Sequence, residues 1–239
     1  AVAGMAGKKI KPSLLELGGS NSFIILNDAD LDKAVESAVV GRFQNNGQSC
    51  IAAKRFLVQS GIYDRFVEAF TLQVRNLWVG DPADGECYIG PMARKDLAED
   101  LHDQVERSLA AGANLLVGGR YQGAMYSPTI LTNVQPGMAA FDEETFGPLA
   151  AITKVESFDE AIHLSNSSEF GLGVSVFTSD ADKVLSRSQE FEDGALFINS
   201  IVKSDPRLPF GGTKSSGYGR ELAEEGLLTF INRKTVVVA

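Results

Sequence analysis

The chain has 239 residues, 44% of them hydrophobic and 22% charged, and a formal net charge of −9. That is the composition of an ordinary globular protein with room for one large domain or two small ones. The acidic balance argues against a nucleic acid or an anionic membrane as partner, because their phosphates repel it, and no apolar run approaches the length needed to span a bilayer. In chain order, Ala1–Gly7 is a small-residue run without an initiator Met, as expected of a chain that begins inside a longer protein. Lys8, Lys9 and Lys11 precede no long apolar stretch, so a secretory signal is not expected, and the chain reads as cytoplasmic. Phe23–Leu26 predicts a buried strand. Asp30 then caps a helix whose apolar residues Leu31, Ala34, Val35, Ala38 and Val39 recur every three or four positions. A strand at Phe56–Gln59 and a helix over Tyr63–Leu77 follow, the latter with Phe66, Val67, Phe70 and Val74 on one side.

A polar-periodic helix over Arg94–Ala111 stops at Gly112. Short strands are predicted at Leu115–Val117, Thr129–Leu131 and Ala150–Val155. Ser157 or Asp159 opens a helix to about Ser165, Gly173–Phe177 is a strand, Asp180 caps a helix to about Phe191, and Ala195–Ile198 is another strand. Ser200–Gly219 is rich in Gly, Ser and Pro and reads as loop, and Lys234–Val238 closes the chain as a β-branched strand. Strand–helix alternation of this kind predicts an α/β fold with a mainly parallel sheet and helices on both faces, its ligands at the carboxyl ends of the strands.

Cys50 and Cys87 are the only cysteines, too few for a disulfide framework, and no Cys/His spacing suits a metal. Cys50 lies in FQNNGQSCIAA (Phe43–Ala53), just after Gly47, where a predicted helix gives way to a polar turn. Free backbone N–H groups in such a turn can stabilise a thiolate or an oxyanion; a small buried hydrophobe is the other reading, and composition leaves both open. Glu16 sits between leucines before Gly18-Gly19. Apolar surroundings would raise its pKa toward that of a general base, and a solvent-facing carboxylate is the alternative. Cys87, with no base in its segment, reads as structural.

The segments LELGGSN (Leu15–Asn21), NNGQSC (Asn45–Cys50), EETFGP (Glu143–Pro148) and PFGGTKSSGYGRE (Pro209–Glu221) together resemble, in this order, the signatures of the aldehyde dehydrogenase superfamily. The stretch GPMARKDLAEDLHDQV (Gly90–Val105) is similar to its bacterial NAD(P)-dependent succinate-semialdehyde branch. The likeness runs over essentially the whole chain but covers only the catalytic half of such proteins. It implies Cys50 as nucleophile, Glu16 as the base for hydrolysis, NAD or NADP as cofactor and an aldehyde as substrate. It also implies that Glu144 holds ribose hydroxyls, that Phe146 packs near the nicotinamide, and that Leu17 and Gly18 line the same side.

Further implications concern organisation and substrate. Residues 1–20 would be a remnant of the cofactor domain, 21–210 the catalytic domain, and 211–239 a returning segment with an oligomerisation strand, giving a homodimer or homotetramer. Gln44 stands six residues before Cys50, where mammalian-type relatives carry a carboxylate-gripping Arg; Arg207 is another possible grip, and Ser204 and Phe210 fall in the substrate channel. Leu97 and Asp100 replace the Gln and Lys that many members use for the adenine-side ribose. Without the amino-terminal half, which carries the second oxyanion donor, the fragment alone is expected to be inactive, since one such donor is worth about a hundred- to a thousandfold in rate.

Two other readings compete. A cysteine hydrolase or esterase needs a histidine partner, and His102 and His163, both on predicted helices among polar neighbours, read as solvated. A non-catalytic dimerisation fragment would rest on the final strand alone. A phosphate-binding loop at Phe210–Ser215 fails for want of the required glycines.

Overall fold

A computed structural model describes residues 1–239. Its centre is a seven-stranded sheet: β1 (Asn21–Ile25), β2 (Ala53–Gln59), β3 (Asn114–Val117), β4 (Thr129–Thr132), β5 (Leu149–Val155), β6 (Val174–Phe177) and β7 (Leu196–Ile198). The spatial order is β7-β6-β1-β2-β5-β4-β3. Every pairing is parallel except β3 with β4 at one edge. The sheet is thus mainly parallel, as the alternation of strand and helix patterns predicts.

Successive side chains of a strand point to opposite faces, and β1 and β2 use this to build two cores. Phe23, Ile25, Phe56 and Val58 pack beneath α2 (Leu31–Phe43) and α3 (Ser60–Arg75), with Ala34, Val35, Phe66 and Phe70. Ile24 and Leu57 face the other way, toward Leu101 and Val105 of α4 (Lys95–Ala110) and Phe158 and Ile162 of α6 (Phe158–Asn166). Each such fully buried side chain contributes about 1.5–3 kcal/mol. Asp30 caps α2 by accepting from the Lys33 amide at 3.2 Å, and Ser157 caps α6 through the Glu160 amide at 3.1 Å.

Two predicted elements differ. The helix capped by Asp180 ends at Leu185, and a single 3-10 turn over Ser188–Glu190 follows. There the Ser186 hydroxyl donates back to the Lys183 carbonyl at 2.9 Å, and the Arg187 guanidinium is drawn onto Glu190 and Asp159; local side-chain bonds of this kind compete with the helix ladder. The tail 234–238 forms no strand and is exposed. β-branched composition favours a pleated surface only where a neighbouring strand supplies one. The Ser200–Gly219 segment is loop, but pinned twice: Thr213–Lys214 pairs with Phe170–Gly171, and Gly217–Tyr218 with Leu15–Glu16. The short helices α1 (Val2–Lys8) and α5 (Ala139–Asp142), and a last one at Ala223–Thr229, have no counterpart in the sequence pattern.

Candidate active site

The residues singled out gather at the amino ends of the parallel strands. Gly18–Ser20 run into β1, Cys50–Ala52 into β2, and Glu144–Pro148 into β5. This corrects the expectation of a carboxyl-end site: the chemistry-bearing motifs lie in the segments that enter neighbouring strands, so those segments converge on one another.

The Cys50 turn is shaped by its sequence. After α2, Asn45, Asn46 and Gly47 take φ of 51°, 56° and 68°, a left-handed run that asparagine and glycine tolerate best. At Gly47 a Cβ would lie 2.4 Å from an Arg42 nitrogen and 2.5 Å from the Gly147 carbonyl. Only glycine lets the turn close this tightly. Arg42, fully buried, donates to the carbonyls of Ala53 (3.0 Å), Gly47 (2.8 Å) and Gly147, so it clamps the cysteine turn to the EETFGP segment. The Cys50 amide makes no hydrogen bond within the chain, which leaves it free as a donor.

Cys50, Ser49, Gln48, Leu17, Gly18, Glu144 and Phe146 line one open cleft of about 580 Å³. Glu144 is anchored at one oxygen. Its Oε1 accepts from the Gly19 amide at 2.9 Å and lies 3.6 Å from Lys54 Nζ, while a Cβ on Gly18 would sit 2.3 Å from Oε2. Phe146 and Leu17 are half-exposed on the cleft wall. Glu143 turns away and is gripped by Arg107 and Gln104.

Glu16 does not line this cleft; it precedes the lining residue Leu17 and sits in a short ladder with Gly217–Tyr218. Both carboxylate oxygens are buried without a hydrogen-bond partner. Burial, and then the charge of Glu221, push its pKa up; the Gly212 amide and Arg220 act in the opposite, lesser sense. The Glu16 carboxylate faces Gly211, where a Cβ would be 3.0 Å from Oε1. Cys50 packs against a small apolar cluster that contains Phe210, and its carbonyl lies 2.7 Å from where a Gly19 Cβ would stand. Glu16 thus lies against Gly211, and Cys50 against the cluster that holds its neighbour Phe210.

The substrate-side candidates are less gathered. Phe210 is buried in the small cluster that Cys50 packs against, and Gln44 is half-buried at the end of α2. Ser204 is exposed. Arg207 is exposed, with its side chain 85% accessible, and its fork is held by Asp205 at 2.9 and 2.6 Å. Neither histidine reaches Cys50. His163 is exposed on α6, whereas His102, expected to be solvated, is half-buried with its Nδ1 3.3 Å from the Tyr126 hydroxyl and its ring 4.9 Å from that of Tyr121. The Cys87 thiol donates to the carbonyls of Gly80 and Ile89 at 3.3 and 3.2 Å.

Lys54 escapes the sequence reading. Its side chain has 0% exposure, and Nζ donates to the Ser49 and Cys50 carbonyls, each at 3.1 Å. Burial, with Arg42 next in weight, pushes it down to about 7, while Glu144 and Cys50 pull upward. The signal lay in Lys54-Arg55 standing between Ala52-Ala53 and Phe56-Leu57: paired cations inside an apolar run must find buried partners.

An α/β sheet that presents an accessible thiol across a cleft from an anchored carboxylate is the framework of a cysteine-bearing enzyme domain. The profile of the aldehyde dehydrogenase family matches residues 1–236, and the chain belongs to that family. It is 50% identical over 239 residues to the NAD(P)+-dependent succinate semialdehyde dehydrogenase Sad of Escherichia coli (strain K12), covering 99% of this chain and 52% of that protein. Against the NADP+-dependent succinate-semialdehyde dehydrogenase of Mycobacterium avium (strain 104) the identity is 48%, over 99% of this chain and 51% of the relative. The crystal structure of succinic semialdehyde dehydrogenase from Streptococcus pyogenes in complex with NADP+ superposes with a TM-score of 0.95 at 40% identity, over 99% of this chain and 53% of that one. The chain spans about half the length of the curated relatives it matches.

Proposed function

We propose that this chain is the catalytic half of an NAD(P)+-dependent aldehyde dehydrogenase, with succinate semialdehyde as substrate, Cys50 as nucleophile and Glu16 as the base for hydrolysis. The observation that carries the reading is the shared cleft: the Cys50 turn, the anchored Glu144 and Phe146 line it, and Glu16, its carboxylate oxygens buried without a hydrogen-bond partner, precedes the lining residue Leu17. Residues 21–210 form the catalytic domain, and 1–20 and 211–239 belong with the cofactor-binding and oligomerising parts.

The cleft fits the nicotinamide end of the cofactor. Glu144, fixed at Oε1, offers Oε2 to ribose hydroxyls over a Gly18 that leaves the space open, and Phe146 and Leu17 supply apolar faces. When bound, the nicotinamide supplies the acceptor for the hydride that leaves the substrate carbon.

The protein's own steps follow from its geometry. The Cys50 thiolate adds to the aldehyde carbon, forming the C–S bond as the carbonyl oxygen becomes an oxyanion. The free Cys50 amide stabilises that oxyanion. After oxidation the carbon is held as a thioester on Cys50. Glu16 takes a proton from water, the resulting hydroxide attacks the thioester, and the C–S bond breaks to release the carboxylate and restore the thiol. A carboxylate whose pKa is raised by burial suits this task.

The test uses the full-length enzyme that carries this chain. Cys50→Ser abolishes NAD(P)H formation from succinate semialdehyde. Glu16→Gln gives a rapid burst of about one NAD(P)H per site and then stalls, the mark of a covalent intermediate that forms but does not hydrolyse. A Cys50→Ser enzyme with wild-type turnover overturns the mechanism, and activity on other aldehydes but not on succinate semialdehyde overturns the substrate.

A further inference from the structure

Two cations are fully buried beneath the cleft, and they differ in one respect. Arg42 donates only to backbone carbonyls and so fastens the turn. Lys54 Nζ bonds to the Ser49 and Cys50 carbonyls, each at 3.1 Å, and lies 3.6 Å from Glu144 Oε1. The same oxygen accepts from Gly19, and the Phe146 ring centroid is 6.0 Å from Nζ. Four lining residues of the cleft, Ser49, Cys50, Glu144 and Phe146, from two separate stretches of chain, thus meet around one ammonium.

We propose that Lys54 is a positioning residue: it ties the Glu144 carboxylate to the Cys50 turn and so fixes where the nicotinamide ribose is held relative to the thiol. The inference rests on the reading of Glu144 as the ribose acceptor. A carboxylate on a surface loop samples several rotamers; with Oε1 pinned from beneath, Oε2 is presented to the cleft in one orientation, and the ordering is complete before cofactor arrives. Removing one partner of a buried pair leaves the other charge uncompensated and is destabilising whatever the pair does, so cofactor affinity, not stability alone, is what separates a positioning lysine from a core cation.

The experiment measures binding as well as rate. NAD+ and NADP+ are each titrated calorimetrically into the full-length wild-type enzyme, Lys54→Met, Glu144→Gln and the double variant, and Tm is recorded for each. The expected results are a Kd raised about tenfold in Lys54→Met, within the span of coupling between two sites, and little further loss when the change is added to Glu144→Gln. The KM for cofactor rises with Kd, the KM for aldehyde stays near wild type, and Tm falls, because Glu144 and the Ser49 and Cys50 carbonyls lose their partner. Lys54→Gln, which keeps a donor for the two carbonyls but no charge, gives the same weakening and stands in should the methionine variant fail to fold. An unchanged Kd with a lowered Tm, or a fully additive loss in the double variant, overturns the proposal and leaves Lys54 a core cation. A Glu144→Gln enzyme with wild-type Kd overturns instead the assignment of Glu144 on which it rests.

Discussion

Burial moves Glu16 and Lys54 in opposite directions, and both shifts run toward the neutral form. For Glu16 the folded pKa lies above the unfolded one, so the native state holds more protons than the unfolded chain in the window above the ordinary carboxylate value. Stability is therefore lost as pH rises through that window. Glu16→Gln is expected to raise Tm at pH 7 by about 2 °C, the order seen for a modest stabilisation in a chain of this size, with the gain vanishing as the pH falls to the normal glutamate range; thermal melts across that range check it. The thiols make a second pair. Cys50 lines an open cleft, whereas the Cys87 thiol is engaged by two carbonyls, so iodoacetamide at neutral pH is expected to label Cys50 first, read by peptide mass mapping. Glu16, Cys50 and Glu144 could be singled out as candidates because each sits in a contiguous motif. Lys54 was not, because its ion-pair partner Glu144 lies far along the chain and only the folded sheet brings the two together.

Among the elements, the turn between α2 and β2 carries the most conformational constraint. Gly47→Ala would place a methyl against Arg42 and the Gly147 carbonyl at a positive φ. The expected cost is about 1–3 kcal/mol, read as a lowered denaturation midpoint together with slower Cys50 alkylation. At the other end of α2, Asp30→Ala removes a cap and is expected to cost about 1 kcal/mol with no effect on the thiol, which separates damage to the helix from damage to the turn. The regular strands and helices could be read in the sequence because their apolar periods are local. The tail at 234–238 and the segment after Asp180 could not. A strand needs a neighbour that no local pattern supplies, and the broken helix depends on Arg187 reaching Asp159, twenty-eight residues away.

At the scale of the molecule, the cleft is open and its walls are half-exposed, so water reaches the Cys50 turn. With the Cys50 amide the one backbone donor identified for an oxyanion, the 239 residues alone are expected to produce NAD(P)H at least a hundredfold more slowly than the full-length enzyme, in keeping with the worth of a single missing donor; a direct comparison of initial rates decides it. A near-equal rate would mean that the catalytic machinery is complete within this chain. The amino-end placement of the cleft has an engineering consequence as well. Exposed positions that leave the strands, such as Asn27 after β1, lie at the opposite end of the sheet from the segment that carries the thiol, so a fluorophore attached there should ride on the sheet without altering how fast the cysteine is modified.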